Sequence, residues 1–239
     1  IFLGDNNADK LLIDPSPNSE EEYRRLRTTI KDFVPDSIFL THHHPDHHQF
    51  SNKLARELQV PIILSKDTLR RLTEKYGQQY FVNIELQTVS ENHQVSSWHG
   101  FAVRVYEIPG HDSGHLGLAP DSMAWFLVGD LIQGIGTVVI PSPEGDMATY
   151  LNTLKKVISL SPEVIIPSHG IPMRTTHRLE ETLKHRLQRE SQILELHRLG
   201  KSKQEILSEL YSDTDNRLHP AAMQNIESHL AKLRKENVL

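Results

Sequence analysis

Apolar residues recur along the chain at two spacings, and the change between them falls near residue 174. Before that point, short β-rich runs alternate with helical patterns, which is typical of an α/β domain. After it, only helical spacing remains. The runs that predict strands are "IFLG", "KLLID", "DSIFLT", "PIILS", "FVNIELQTV", "FAVRVYEI", "HLGLA", "AWFLVG" and "EVIIP". We therefore expect an α/β domain over residues 1–174 and a small all-helical domain over residues 175–239.

Capping residues mark where several of the predicted helices begin. Ser19 with Glu22, and Ser202 with Glu205, have the spacing of a capping box, and Pro220 suits the first position of a last helix. That helix carries an apolar stripe that favours a core, with a homodimer contact as the alternative: Met223, Ile226, Leu230 and Leu233. The predicted helices cover about 19–32, 47–58, 66–76, 147–160, 177–199 and 220–235, with one more beginning at the Ser202–Glu205 box.

Composition narrows the chemistry more than the fold. The 239 residues include no cysteine, so disulfides, thiolate nucleophiles and cysteine-rich zinc sites are excluded. The net charge of −5 gives no general basic field for nucleic acid. No apolar run approaches the ~20 residues that cross a bilayer, and no signal peptide opens the chain, so we expect a soluble, cytoplasmic protein. The chain begins inside a strand pattern without methionine, which suggests a truncated first strand.

The segment "THHHPDHH", residues 41 to 48, contains five histidines and one aspartate. Crowded imidazoles repel one another when protonated, and their ring nitrogens need partners when neutral. A bound metal ion keeps the rings neutral and serves as that partner. In an extended segment His42, His44 and Asp46 share one side, while a helix beginning at His47 turns that side chain toward a neighbouring point. One loop could thus supply ligands to two adjacent ions.

Three further candidate ligands each follow an apolar β run and lie beside a glycine, which permits a sharp turn. They are His111 in "IPGHDSGH", Asp130 in "FLVGDL" and His169 in "IIPSHG". Strand ends are where α/β folds place their chemistry, so we expect these side chains to complete the coordination. The alternative is a histidine-rich surface tract that binds metal adventitiously. It does not account for the three candidate ligands far along the chain.

Together these motifs resemble the metallo-β-lactamase superfamily. His42, His44, Asp46 and His47 match its HxHxDH signature, the three later residues match its single-ligand motifs in order, and "LLIDPSP" resembles its first motif. The resemblance implies an αββα sandwich. It also implies that His42, His44 and His111 hold one metal ion, that Asp46, His47 and His169 hold a second, and that Asp130 bridges them. Asp14 would be a structural residue behind the ligands.

A pair of ions implies a hydrolase that uses a metal-bridging hydroxide, with Asp46 as the catalytic residue that orients it. Zinc is the first expectation for imidazole and carboxylate ligands, with iron or manganese as alternatives. His43 and His48 are expected to be spectators, and His115 to make a structural hydrogen bond. The sequence shows no serine triad or P-loop that would compete with this chemistry.

The tail looks like the winged-helix-like end of a lactamase-beta-like subfamily that includes an endoribonuclease and thioesterase-like enzymes. That resemblance favours cleavage of single-stranded RNA, with hydrolysis of an acyl-thioester, as in glyoxalase II, as the alternative. The tail carries 11 Lys and Arg against 10 Asp and Glu, which speaks weakly against RNA. A third hypothesis is a non-catalytic binding protein with a vestigial metal site.

Two arginines of the first tail helix, Arg186 and Arg189, are candidate contacts for an anionic substrate. The simpler interpretation is a solvated helix face with ion pairs to Glu181 and Glu190, worth a few tenths of a kcal/mol each.

Overall fold

The computed structural model describes residues 1–4 and 8–239. These residues group into two compact units, one comprising residues 1–107 and 114–127, the other residues 108–113 and 128–239. The units divide the chain at points other than residue 174, so the predicted domain boundary there stays a prediction. None of the helices in the described ranges has the length and apolar character needed to cross a membrane.

The first unit contains a five-stranded sheet whose strands follow chain order. Its first two strands are antiparallel and the others parallel. The strands are β1 (Phe2–Leu3), β2 (Leu11–Ile13), β3 (Ser37–Phe39), β4 (Ile62–Leu64) and β5 (Leu86–Thr88). The helices of this unit are α1 (Glu20–Thr29), α2 (Pro45–His48), α3 (Ser51–Leu58) and α4 (Lys66–Tyr76).

The three central strands, β2 to β4, are buried on both faces of the sheet, as parallel strands usually are. Alternate residues of one face pack with α1, α3 and α4, including Leu12, Ile38 and Ile62. Residues that alternate with them, such as Ile13 and Phe39, are equally inaccessible to solvent. The short apolar runs of the sequence therefore became core strands, and the ends of β2 and β3 lie close to the histidine-rich segment that follows.

Strands β6 (Gln94–Trp98), β7 (Phe101–Glu107), β8 (Leu116–Pro120) and β9 (Phe126–Gly129) begin the second sheet. Neighbouring strands are antiparallel, and Leu118 lies opposite Leu127, so β8 and β9 form a hairpin.

Two predicted elements of the first unit are shorter than expected. The single helix over 47–58 is interrupted at Phe50, whose φ of 65° is left-handed, so α2 and α3 are separate. The strand predicted over "FVNIELQTV" is reduced to β5, because Gln78–Phe81 forms a 3₁₀ turn and Asn83 has a φ of 60°. Periodicity alone does not reveal such single left-handed residues.

The second unit contains α5 (Met147–Leu160), the antiparallel strands β10 (Val164–Pro167) and β11 (Met173–Arg174), and the tail helices α6 (His177–Arg198), α7 (Lys203–Leu210) and α8 (His219–Lys235). The Ser202–Glu205 capping box is complete, with both of its hydrogen bonds formed. The Ser19–Glu22 box is half formed, because Glu22 accepts from the amide of Asn18 instead of Ser19.

The tail helices share a small apolar core, which confirms that the stripe of α8 is first of all a core stripe. Ile226 and Leu230 of that stripe are fully buried, and Met223 packs at the edge. The buried members of this core are Ile193, Ile206, Leu207, Ala222, Ile226 and Leu230. The homodimer alternative stays a prediction.

A buried histidine in this tail should make stability depend on pH. Burial lowers the pKa of His229, and the Arg186 and Lys232 cations act in the same direction, against the hydrogen-bonded Glu190 carboxylate. The folded protein therefore keeps His229 neutral where the unfolded chain takes up a proton, below about pH 6.5.

We expect the free energy of unfolding to fall as the pH is lowered from 7.5 to 5.5, since protonation favours the unfolded chain in that window. Urea unfolding at the two pH values measures the loss, and His229→Gln should reduce it. An identical loss in the variant and the wild type would assign the pH dependence to other groups.

Candidate metal centre

The first ligand cluster comprises His42, His44, Asp46 and His47, and it lies just beyond the end of β3. His44 is extended, with φ −68° and ψ 144°, as the residue before a proline should be. Pro45 then starts α2 at the position where proline is favoured. This change from extended to helical backbone gives one short segment side chains that point in two directions.

Imidazole nitrogens converge within this cluster. Nε2 of His42 lies 3.0 Å from Nδ1 of His44, and the rings of His42 and His47 have centroids 4.0 Å apart. Asp46 is more exposed, and its Oδ2 lies 3.7 Å from Nε2 of His47. The cluster thus offers nitrogen and oxygen donors at the spacing of ligands that share or neighbour an ion.

Asp14 anchors the cluster from behind. Its carboxylate accepts hydrogen bonds from the Thr41 amide at 2.8 Å, the Thr41 hydroxyl at 2.7 Å and Nδ1 of His47 at 2.8 Å. A proton on Nδ1 leaves the lone pair of His47 on Nε2, the tautomer that a metal ligand needs. The role that the sequence resemblance gives Asp14, structural and not a ligand, fits this geometry.

Replacing Asp14 with asparagine should weaken metal binding by about 10–100-fold, the usual effect of losing a carboxylate partner of a ligating histidine. The amide would lose the charge and present a donor to groups that are themselves donors. Competition with a chromogenic chelator measures the affinity. Asp36→Asn is the matched control, since that exposed carboxylate accepts a hydrogen bond from the Lys10 amide and lies outside the ligand clusters. Equal affinities in the two variants would contradict the anchoring role.

The second ligand cluster comprises His111, Asp130 and His169, all in the second unit. Asp130 follows β9, His169 follows β10, and His111 precedes β8. Oδ2 of Asp130 lies 3.8 Å from Nε2 of His111, and Oδ1 lies 3.5 Å from Nε2 of His169. These distances exceed a hydrogen bond but suit two donors on one ion, each about 2.0–2.2 Å from it. The carboxylate therefore presents one oxygen to each histidine.

A loop held by the tail helices fixes the orientation of His111. The carbonyl of Val139 accepts from Nδ1 of His111 at 2.8 Å, so the lone pair of this ring also lies on Nε2. The next amide, that of Ile140, donates to Oδ1 of Asn225 on α8 at 3.0 Å. Arg186 on α6 donates to the carbonyl of Val138. Sequence reasoning missed these contacts, because backbone groups far along the chain leave no motif.

Glycines make room beside two of the ligands, as predicted. Gly110 has a φ of 136°, and a Cβ there would lie 2.3 Å from the Cα of Tyr150. Gly170, with a φ of 113°, packs against Gly134, where a Cβ would lie 2.9 Å from the Gly134 Cα. Both positions require glycine, the first for its close approach to α5 and the second for a glycine–glycine contact.

Each of the seven predicted ligands belongs to a group of His and carboxylate side chains that could hold a metal ion. His43 and Glu144 also belong to such a group, and Glu144 was not predicted. His48 is buried, and burial lowers its pKa to about 4 while its Nδ1 lies 2.7 Å from the hydroxyl of Tyr80. His115 is buried as well.

The predicted ion pairs of the α6 arginines are absent from the described residues, so that interpretation was wrong. Glu181 pairs with His177 and Arg178 instead. Glu190 pairs with His229 and Lys232. Arg186 and Arg189 make backbone and aromatic contacts, because they turn away from the solvated face of the helix.

Comparison with known proteins places this geometry in a family. The profile of the metallo-beta-lactamase superfamily matches residues 1–169. The chain belongs to this superfamily. A profile described as the beta-lactamase associated winged helix domain matches residues 202–238, within the predicted tail. The metallo-β-lactamase fold class with a C-terminal winged helix is therefore confirmed.

Three similar proteins illustrate the relationship. The Drosophila melanogaster "Beta-lactamase-like protein 2 homolog" is 30% identical over 218 residues, covering 85% of this chain and 70% of that protein. The "Hydroxyacylglutathione hydrolase" of Wigglesworthia glossinidia brevipalpis is 29% identical over 169 residues, covering 69% of this chain and 58% of that protein. A "Beta-lactamase domain protein" from Burkholderia ambifaria has a similar structure, with a TM-score of 0.75 at 20% identity, covering 96% of this chain and 78% of that one.

Members of the superfamily bind divalent metal ions, often two, and this chain is a metal-dependent hydrolase. The enzyme prediction is confirmed, against the alternative of a binding protein without activity. The donor set fits such ions, since it combines imidazoles, of which His47 and His111 have fixed tautomers, with a buried carboxylate that faces two histidines.

Proposed function

We propose that the protein hydrolyses acyl-thioesters at a centre of two metal ions held by its histidine and carboxylate ligands. The observation that carries the proposal is the position of Asp130, whose two oxygens face His111 and His169 separately. A carboxylate placed in this way suits a bridge between two ions. Zinc is the metal we propose, with iron or manganese as alternatives.

Histidines 42, 44 and 111 would hold one ion, and Asp46, His47 and His169 the other. When bound, the ions supply a nucleophile from water at neutral pH and polarise the carbonyl oxygen under attack. The residues of the chain do the rest. Asp14 and the Val139 carbonyl keep His47 and His111 in the required tautomers, and the exposed carboxylate of Asp46 accepts a hydrogen bond from the attacking water and orients it.

A thioester is favoured over RNA for two reasons. One relative is named for the hydrolysis of hydroxyacylglutathione, in which an acyl group is carried by a thiol. RNA binding needs a continuous basic surface for phosphates, whereas the tail has nearly equal numbers of acidic and basic residues. Cleavage of single-stranded RNA, and a cytoplasmic location, stay predictions from the sequence.

The test is to assay the metal-loaded full chain on an acyl-thioester and on single-stranded RNA. We expect thioester hydrolysis that falls about 100-fold in Asp46→Ala, which is the lower end of the 10²–10⁴-fold that a positioned acid–base group contributes. Asp32→Ala, which removes another exposed carboxylate, should leave the rate unchanged. RNA cleavage that disappears in Asp46→Ala, with no thioester hydrolysis by the wild type, would replace this proposal with the endoribonuclease.

A further inference from the structure

A cavity of about 520 Å³ within the second unit lies between the loop after Asp130 and the tail helices. We call it the arginine pocket. Its basic side chains come from α6, and Tyr211 follows α7. Its apolar side chains include Val139 of the loop and Leu218 and Ala221 near the start of α8. The side chains that matter here are Arg186, Arg189, His185, Tyr211, Leu218 and Ala221.

The two guanidinium groups at this pocket have no carboxylate partner among the described residues. Arg186 donates to the carbonyl of Val138 and lies over the ring of Tyr150, 5.4 Å from its centroid. Arg189 donates to the carbonyl of Leu210 at 3.0 Å and lies 4.5 Å from the centroid of Tyr211.

Hydrogen-bonding capacity is left over on both arginines. The Nε atoms of Arg186 and Arg189 are buried and make no hydrogen bond to another described residue. Arg186 itself is 3% exposed. A buried cation without a counter-charge is costly, so a site of this kind gains most from an anion that enters it.

The neighbouring His185 lies in the positive field of the same two arginines. Burial lowers the pKa of His185, and Arg189 and Arg186 lower it further. At neutral pH His185 is therefore uncharged and can donate or accept at the pocket rim without adding to the charge. Glu181 and Glu190 of α6 do not compensate this charge, since they pair with Arg178 and Lys232.

The pocket lies close enough to the second ligand cluster to hold part of the same substrate. Gln133 lines it and is three residues after Asp130. Three residues of extended chain span at most about 11 Å. An apolar connector of a few carbon atoms along Leu218 and Ala221 would link the two points.

We propose that the arginine pocket binds an oxyanion, carboxylate or phosphate, carried by the thiol portion of the substrate. This inference rests on the proposed thioester hydrolysis and narrows its substrate class. Guanidinium groups pair with both oxyanions in a bidentate manner, and the aromatic faces behind them hold the arginines in place.

Three acetyl thioesters that differ only at the far end of the thiol test the proposal. Their thiols are 6-mercaptohexanoate, the methyl ester of 6-mercaptohexanoate and 6-mercaptohexyl phosphate. With metal-loaded full-length protein, we expect a KM about 10-fold lower for an anionic thioester than for the methyl ester. Arg189→Gln should remove this difference with little change in kcat, since the pocket binds substrate and transition state alike. The better of the two anions identifies the natural group.

Two further variants separate charge from folding. Lys184→Gln removes one positive charge from the exposed side of the same helix and should keep the full preference. Ala221→Asp places a carboxylate in the pocket at the start of α8, where acidic residues are tolerated, and should abolish the preference with Arg189 intact. Thermal unfolding of each variant verifies the fold.

The outcomes distinguish this inference from the function on which it rests. Equal KM values for the ester and both anions in the wild type would overturn the proposal that the arginine pocket binds an oxyanion. The proposed thioester hydrolysis would not be affected. If no thioester is hydrolysed, the proposed function fails. Calorimetric titration with 6-(methylthio)hexanoate then tests whether the arginine pocket binds a carboxylate. Binding that weakens about 10-fold in Arg189→Gln, but not in Lys184→Gln, would then support it, and equal binding in both would reject it.

Discussion

Asp130→Asn is expected to lower kcat/KM for a hydrolysed thioester by about 1,000-fold, a loss of about 4 kcal/mol in transition-state stabilisation. The side chain is buried, and its two oxygens face the Nε2 atoms of His111 and His169. Asparagine keeps the shape but loses the charge, and it replaces one oxygen with a donor that would point at a ligand nitrogen or an ion.

Metal content tests the same substitution without relying on turnover. Elemental analysis of the purified protein should give close to two ions in the wild type and one or fewer in Asp130→Asn. Asp121→Asn is the control, because that carboxylate pairs with Arg104 at the surface and is not one of the predicted ligands. Two ions in the Asp130 variant would rule out a bridging role.

Gly110→Ala has the largest expected effect on stability, about 4 kcal/mol or more. A positive φ costs an alanine about 1–3 kcal/mol by itself. The new Cβ would in addition lie 2.3 Å from the Cα of Tyr150, on the backbone of α5, where neither side can yield without moving the helix. His111 is the next residue, so any shift also displaces a ligand.

Urea unfolding of Gly110→Ala beside Gly100→Ala separates these two contributions. Gly100 also has a positive φ, of 83°, but no atom lies within 4 Å of a Cβ built there. The Gly100 variant should therefore lose only the conformational cost, about 1–2 kcal/mol. If the two variants lose the same amount, close packing at Gly110 contributes nothing.

The sequence predicts the parts of this site that follow strands. His42, Asp130 and His169 each come directly after an apolar run, and such runs become core strands for reasons that one segment contains. The close backbone contacts at the glycines beside His111 and His169 could likewise be predicted, because a residue without Cβ is needed where backbones meet. Those features depend on local composition.

The sequence does not predict the contacts that hold the ligands in place. The bond from Ile140 to Asn225 joins residues 85 positions apart, and the bond from His111 to Val139 involves a carbonyl that every residue type possesses. The break at Phe50 is a single backbone angle. The ion-pair partners of Glu181 and Glu190 depend on how α6 is rotated about its axis. The mixed apolar pattern of this helix does not predict that rotation.

The bond from Ile140 to Asn225 has a consequence for synthesis on the ribosome. Ile140 is polymerised 85 residues before Asn225, an interval of about 4–17 s at 5–20 residues per second. During that interval the nascent chain already contains His111 and lacks the amide acceptor that fixes the neighbouring loop. A nascent enzyme that acquires its ions early would do so before one of its imidazole ligands is fully oriented.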